Sequence, residues 1–295
     1  MKKKFLSLFF YFCFATIQFV AAQPYIDIAR INYTHAPQKG FNEKKDPLLS
    51  DIYSISATLP IELKKDGDAI VINPFFDHSQ GTIDNNSFNV MSQGVALGFL
   101  KKLNNKKWSL FANIILRRNK QTEKKLDDCW QYGGVVLATW NKRPGLSIRV
   151  GGIYYNRESF GNFFIPLAGI DWKIDNKNNL FGVLPGNLTF EHMINKRFYW
   201  GSVFRALTNS YRLETTDPCL SGDCNGKNYL RIDDNQLGFF ADTYITSNIV
   251  ITAETGYTLF RRYRFGFKGN SIHHYTDFKS DNFYFRLQLA FRYRR

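Results

Sequence analysis

Residues 281–295 read DNFYFRLQLAFRYRR, and no other stretch limits the fold as tightly. Phe283, Phe285, Leu287, Leu289, Phe291 and Tyr293 occupy odd positions, while Asn282, Tyr284, Arg286, Gln288, Ala290, Arg292 and Arg294 occupy even ones. A period of two belongs to a β-strand, whose side chains alternate between faces. One face is wholly apolar and ends in aromatics; the other carries charge at its middle. A strand with lipid on one side and a polar interior on the other has this pattern. An arginine aimed at lipid near the bilayer midplane costs about 2–4 kcal/mol, so Arg286 is expected to point inward.

The first residues place such a strand in an exported protein. Lys2, Lys3 and Lys4 precede an apolar run from Phe5 to Val20, and Ala21 and Ala22 follow. This is the layout of a secretory signal peptide, with cleavage after Ala22 and a mature chain from Gln23. The expected division is therefore 1–22 signal peptide and 23–295 β-barrel. Cys13 lies inside the apolar run, which argues against a lipoprotein. No later run is long enough for a spanning helix, so membrane insertion would have to use strands.

Composition agrees once the alternation is known. A mean hydropathy of -0.31 would suit a soluble chain, but a barrel strand averages out as polar because only alternate residues meet lipid. The 28 Phe and 16 Tyr suit aromatic girdles, although a secreted β-sandwich could hold them as well. A net charge of +14 without a compact basic motif gives no reason to expect nucleic acid. Basic residues can instead meet anionic headgroups outside and anions within. Without Cys13, the cysteines are Cys129, Cys219 and Cys224, and the segment PCLSGDCNG predicts a loop disulfide between Cys219 and Cys224. Cys129 is then odd, or pairs with one of these two. No histidine stands at ligand spacing from them, and neither a metal nor a cofactor is expected.

Along the chain, alternating segments are separated by short turns and longer loops in turn, as in a barrel with short periplasmic turns and long outer loops. Asp27 and Arg30 have opposite parity in the first strand, which implies a bulge or a frayed edge. Pro185 and Gly186 interrupt LFGVLPGNLTFEHMIN, which reads either as two short strands or as a segment entering the lumen. The expectation is a single all-β antiparallel transmembrane barrel of about 12 to 14 strands, the number being even if both ends lie in the periplasm.

With its leader, its Asn-rich short turns and its terminal aromatic strand, the sequence resembles bacterial outer-membrane β-barrels. The ending AFRYRR and the internal LPGNLTFEHMINKRFYWG resemble Bacteroidota-type barrels known only as domains of unknown function. In many barrels the final aromatic ends the chain, whereas here Arg294 and Arg295 follow Tyr293. The resemblance implies a bacterial outer-membrane location, contact with outer-membrane lipid and insertion by the barrel-assembly machinery.

Projecting the strands sends Arg117, Arg149, Arg205, Arg262, Arg264, Arg286 and Arg292 inward. Glu62, Asp77, Asp234, Asp242 and Glu254 are projected to stand against them. Two arrangements fit these residues: a basic constriction favouring small anionic solutes, or arginine–carboxylate pairs filling a narrow lumen, the latter preferred. The corresponding functions are a passive porin-like channel and a closed surface scaffold that docks partners through its loops. Catalysis is not expected: of His35, His78, His192, His273 and His274, His78 beside Asp77 and His273 with His274 and Asp277 fall at predicted outer rims, where loop histidines are usually solvated.

Overall fold

The computed structural model describes residues 24–37, 48–63, 67–83, 86–103, 107–123, 129–157, 161–214, 229–266 and 276–294. The proposed signal peptide and the Cys219–Cys224 pair lie outside these residues. The strands are β1 (Tyr25–Ala36), β2 (Leu48–Ala57), β3 (Leu59–Glu62), β4 (Ala69–Ile83), β5 (Asn86–Lys102), β6 (Trp108–Gln121), β7 (Trp130–Arg143) and β8 (Leu146–Arg157). There follow β9 (Gly161–Lys173), β10 (Asn178–Leu184), β11 (Asn187–Met193), β12 (Phe198–Arg212), β13 (Tyr229–Tyr244), β14 (Ile249–Gly266), β15 (Thr276–Lys279) and β16 (Phe283–Arg294).

These segments make a closed antiparallel barrel of fourteen staves. β2 and β3 are one stave, since both pair with β4, and the chain breaks step only at Thr58, whose N–H bonds to Ile28 O at 2.9 Å. β15 and β16 both pair with β14 and likewise form one stave. Every stave pairs with its neighbours in sequence, and β16 closes the ring on β1 from Tyr25↔Arg294 to His35↔Phe285. The expected bulge falls between Asp27 and Ala29, so Asp27 and Arg30 both reach the interior.

Alternation then assigns the two faces. Phe76, Ile55, Ile31, Leu289 and Ile251 are successive register partners around the wall and make a continuous apolar row facing lipid. Stacked Trp108 and Trp140 mark one rim, and the tilted Tyr33–Tyr53 pair marks the other. Ile114 is 63% exposed on this outer face. Its replacement by arginine is expected to cost about 2–4 kcal/mol, read as a shift in urea-dependent folding into lipid vesicles.

The turns β3–β4, β5–β6, β7–β8, β9–β10, β11–β12 and β13–β14 are all short and lie at one end, the periplasmic end in barrels of this kind. Three of them share one device, in which a side-chain oxygen opening the turn accepts backbone N–H groups ahead of it. Asp175 accepts from Lys177 and Asn178, Asn195 from Arg197 and Phe198, and Thr246 from Asn248 and Ile249. The Asn178 side chain and these N–H groups hold the exposed Asp175 carboxyl below the usual carboxylate range.

The segment that sequence left open forms two short strands. β10 and β11 have seven residues each and turn at Pro185 and Gly186. A spanning strand needs about 9–11 residues, so this hairpin stops short of the far rim. β9 pairs with β10 only from Ala168 to Lys173, and β12 pairs with β11 only from Tyr199 to Arg205. The far halves of β9 and β12 thus border a notch in the wall. Pro166 sits on that part of β9, and a proline is tolerated at such an edge.

Candidate functional site in the barrel lumen

The interior is built in three tiers. At the short-turn end, Arg294 grips Glu191 through Nη1 at 3.0 Å and Nη2 at 2.5 Å. Its guanidinium lies 3.7 Å from the centre of the Tyr199 ring. Arg292 bridges Asp27 at 2.5 Å and Asp242 at 2.6 Å, and lies 3.6 Å from the centre of the Tyr25 ring. Thr252 Oγ1 donates to the other Asp242 oxygen at 2.5 Å. Stacking on an aromatic face suits the flat, weakly hydrated guanidinium and fixes its plane toward the carboxylates.

In the middle tier Glu254 is a hub. Arg205 meets it with two parallel bonds at 2.5 and 2.6 Å, and Tyr284 OH donates at 2.7 Å. Arg286 stands 3.7 Å from the same carboxylate while bonding Thr34 at 2.8 Å and Gln236 at 2.9 Å. The reach of Tyr284 depends on two glycines paired across β13 and β14: a Cβ on Gly238 would come within 2.3 Å of the Tyr284 oxygen, and one on Gly256 within 2.7 Å of its ring. Arg149 pairs with Asp171 nearby.

Beside these pairs lies a cavity of about 480 Å³. From β4 to β7 its wall is largely apolar, with Val71, Leu100, Phe111 and Leu137. From β14 through β16 to β1 it is polar, with Glu254, Arg292, Asp27 and Arg30 among its residues. Asn187, at the tip of the short hairpin, also lines it, so the cavity reaches the lip of the notch.

The far tier is largely apolar. Phe88, Val90, Tyr211, Leu230, Tyr263, Phe265 and Phe278 form a buried apolar cluster there. Beside it, β12 is tied across the lumen to β6 and β7. Asn119 and Gln131 both donate to Ser210 O at 2.9 Å, Gln131 also reaches Ser210 Oγ at 3.0 Å, and Arg117 donates to Asn209 at 2.9 Å. Arg212 even pairs in register with Lys120 as a parallel bridge. The cause is the short hairpin, because the far half of β12 has no neighbour in the sheet on one side and its carbonyls need donors from elsewhere.

Of the residues projected inward from sequence, Arg117, Arg149, Arg205, Arg286, Arg292, Asp234, Asp242 and Glu254 line this interior. Arg262 and Arg264 do not. A second bulge, marked by Phe260 at φ 56° and the register shift between Asp233 and Asn235, exchanges the faces of β14. Arg261 and Tyr263 thereby turn inward and become buried, while Arg264 joins Arg231 and Asp233 on the opposite face. Arg261 faces Asp234 at 3.4 Å.

Sequence reading did not single out Arg294, Asp171 and Glu191. Asp171 was recoverable from its parity between Ile170 and Trp172, whereas Glu191 sits in the segment whose strands were undecided. The remaining histidines of the described wall have structural partners: His35 with Asp51 at 2.8 Å, His78 with Asn89 at 2.6 Å and His192 with Asn178 at 2.7 Å. Cys129 is buried, and its sulfur accepts from Arg118 Nε at 3.0 Å.

A closed barrel with an apolar outer belt, aromatic rims and a charged interior is an outer-membrane β-barrel. The chain belongs to the family described as Domain of unknown function (DUF6268), whose model matches residues 18–294. Among solved structures it is similar to an outer membrane channel from Pseudomonas putida F1, at TM-score 0.51 and 10% identity, covering 95% of this chain and 99% of that one. It is also similar to a FadL homologue from Pseudomonas aeruginosa, at TM-score 0.47 and 10% identity, covering 90% of this chain and 89% of that one. At such identity the likeness is one of fold. No curated protein matches.

Proposed function

We propose that this protein is a passive outer-membrane channel whose solutes travel between the inner cavity and the wall notch above β10 and β11, rather than straight along the barrel axis. The observation that carries this reading is the cavity itself: it adjoins the hairpin tip at Asn187, while a buried apolar cluster stands in the far part of the barrel. The half-apolar lining suits solutes that partition from lipid better than strongly hydrated ions. A bulk anion pore would need a ring of uncompensated arginines. Here Arg149, Arg205, Arg261, Arg292 and Arg294 each meet a carboxylate, which removes most of that field.

The location supports the same reading. An outer-membrane barrel sits in lipid and is inserted by the assembly machinery, and a notch opening sideways would face the bilayer. The likeness to a channel fold agrees with passage. The apolar far tier favours the closed-scaffold alternative.

Flux into proteoliposomes separates the two. Small apolar solutes should enter faster than in protein-free vesicles, and Asn187→Trp, which fills the hairpin side of the cavity, should slow entry several-fold without changing heat-modifiable gel migration. Absence of protein-dependent flux for every probe would leave the scaffold. Large ohmic steps from the wild type in planar bilayers would overturn the sideways route in favour of an axial pore.

A further inference from the structure

The cavity has one charged group whose state differs from the rest. Arg205, Arg292 and Arg149 on its wall are each bound to a carboxylate. Arg30 is not: its Nε donates to Ser56 Oγ at 2.8 Å, and among the described residues no carboxylate pairs with it. Its side chain remains exposed although it belongs to the inward face of β1 and lines the cavity. Asp77 feels the charge of Arg30 and, more weakly, that of Arg117, without a direct bond to Arg30.

A guanidinium with free donors, held at the edge of a half-open cavity, is a receptor for a planar anion, because its forked N–H groups match the two oxygens of a carboxylate. The rest of the cavity narrows the choice. Val71, Phe111, Leu137, Phe181 and Phe240 also line it, and they offer nothing to a strongly hydrated inorganic ion. A molecule that satisfies both surfaces has one charged head and an apolar body. The volume of about 480 Å³ admits a body of several carbon atoms or one aromatic ring.

We infer that the cavity binds a small amphipathic acid, with its carboxylate on Arg30 and its apolar body against Phe111, Leu137 and the neighbouring aromatic rings. The inference rests on the channel reading and names its solute class. Arg30 serves as an anchor on the cavity wall and acts on one ligand at a time, so it requires no general selectivity for anions. The bulge between Asp27 and Ala29 is what makes the site: without it, Asp27 and Arg30 could not both face inward, and Arg292 would lose one of its two carboxylates.

The test compares 3-phenylpropanoate with its neutral amide, by equilibrium dialysis against the full-length protein in detergent and by flux into proteoliposomes. The wild type should bind the acid about tenfold more tightly than the amide, since a charge-assisted bidentate pair is worth at least one such factor. Arg30→Gln should erase that preference, and Arg30→Lys should retain part of it. Equal binding of acid and amide by the wild type, or an undiminished preference in Arg30→Gln, would overturn the inference. If Arg30→Gln does not fold, the wild-type comparison and Arg30→Lys decide. Binding of the acid without flux of either compound would sink the channel reading while leaving the Arg30 site standing.

Discussion

Replacing Glu254 by leucine should destabilise the barrel by about 3–5 kcal/mol, the range for breaking a buried ion pair from one side. The carboxylate is 1% exposed and neutralises Arg205 directly and Arg286 at longer range. Its removal leaves two guanidinium groups inside one lumen with no shared counter-ion, and frees Tyr284 OH of its acceptor. The expected result is a lower urea midpoint for the folded, heat-modifiable form in lipid vesicles. Arg205→Met added to Glu254→Leu should recover much of the loss, because the deficit comes from the stranded charge more than from the lost bond. A loss below about 1 kcal/mol, the range of an exposed pair, would mean that water already screens this tier.

Asn119→Ala combined with Gln131→Ala should turn a barrel of low conductance into one with clear ionic steps in planar bilayers. These two side chains supply the donors that hold the far half of β12 against β6 and β7, and both converge on Ser210. Their loss leaves a buried carbonyl without a partner, at a cost of about 1–3 kcal/mol, which hydration of the gap can relieve. Water entering between β12 and β6 is the beginning of an axial path. The apolar cluster around Tyr211 and Tyr263 would then remain as a partial plug, so a rise of several-fold is expected rather than a porin-sized pore. Unchanged conductance in a folded double variant would assign the seal to that cluster alone.

The barrel was legible in sequence because lipid on one side and a charged lumen on the other impose the same parity on strand after strand. Residues 281–295 show it most plainly, and parity alone turns Arg286, Arg292, Glu254 and Asp242 away from the apolar face. Parity fails where a strand inserts a residue. The bulge near Asp27 could be suspected, since two charged residues of opposite parity stood in one short strand. The one at Phe260 left no such mark: RRYR puts arginine in both phases, and only the turned backbone decides that Arg261, not Arg262 and Arg264, faces inward. The tie between β12 and β6 was illegible for a different reason. It joins residues about ninety positions apart, and it follows from the length of another hairpin.

The closing strand carries a requirement that no single contact displays. Its Arg286, Arg292 and Arg294 find Glu254 on β14, Asp27 on β1, Asp242 on β13 and Glu191 on β11. A slip of one residue against β1 would send all three arginines into lipid. A slip of two keeps them inside but moves each guanidinium about 7 Å from its carboxylate. The polar face of β16 thus works as a key with three teeth, cut so that a single alignment turns the lock. Charge neutralisation in the lumen therefore depends on the alignment of the seam, because a misaligned closing strand leaves buried arginines without their carboxylates.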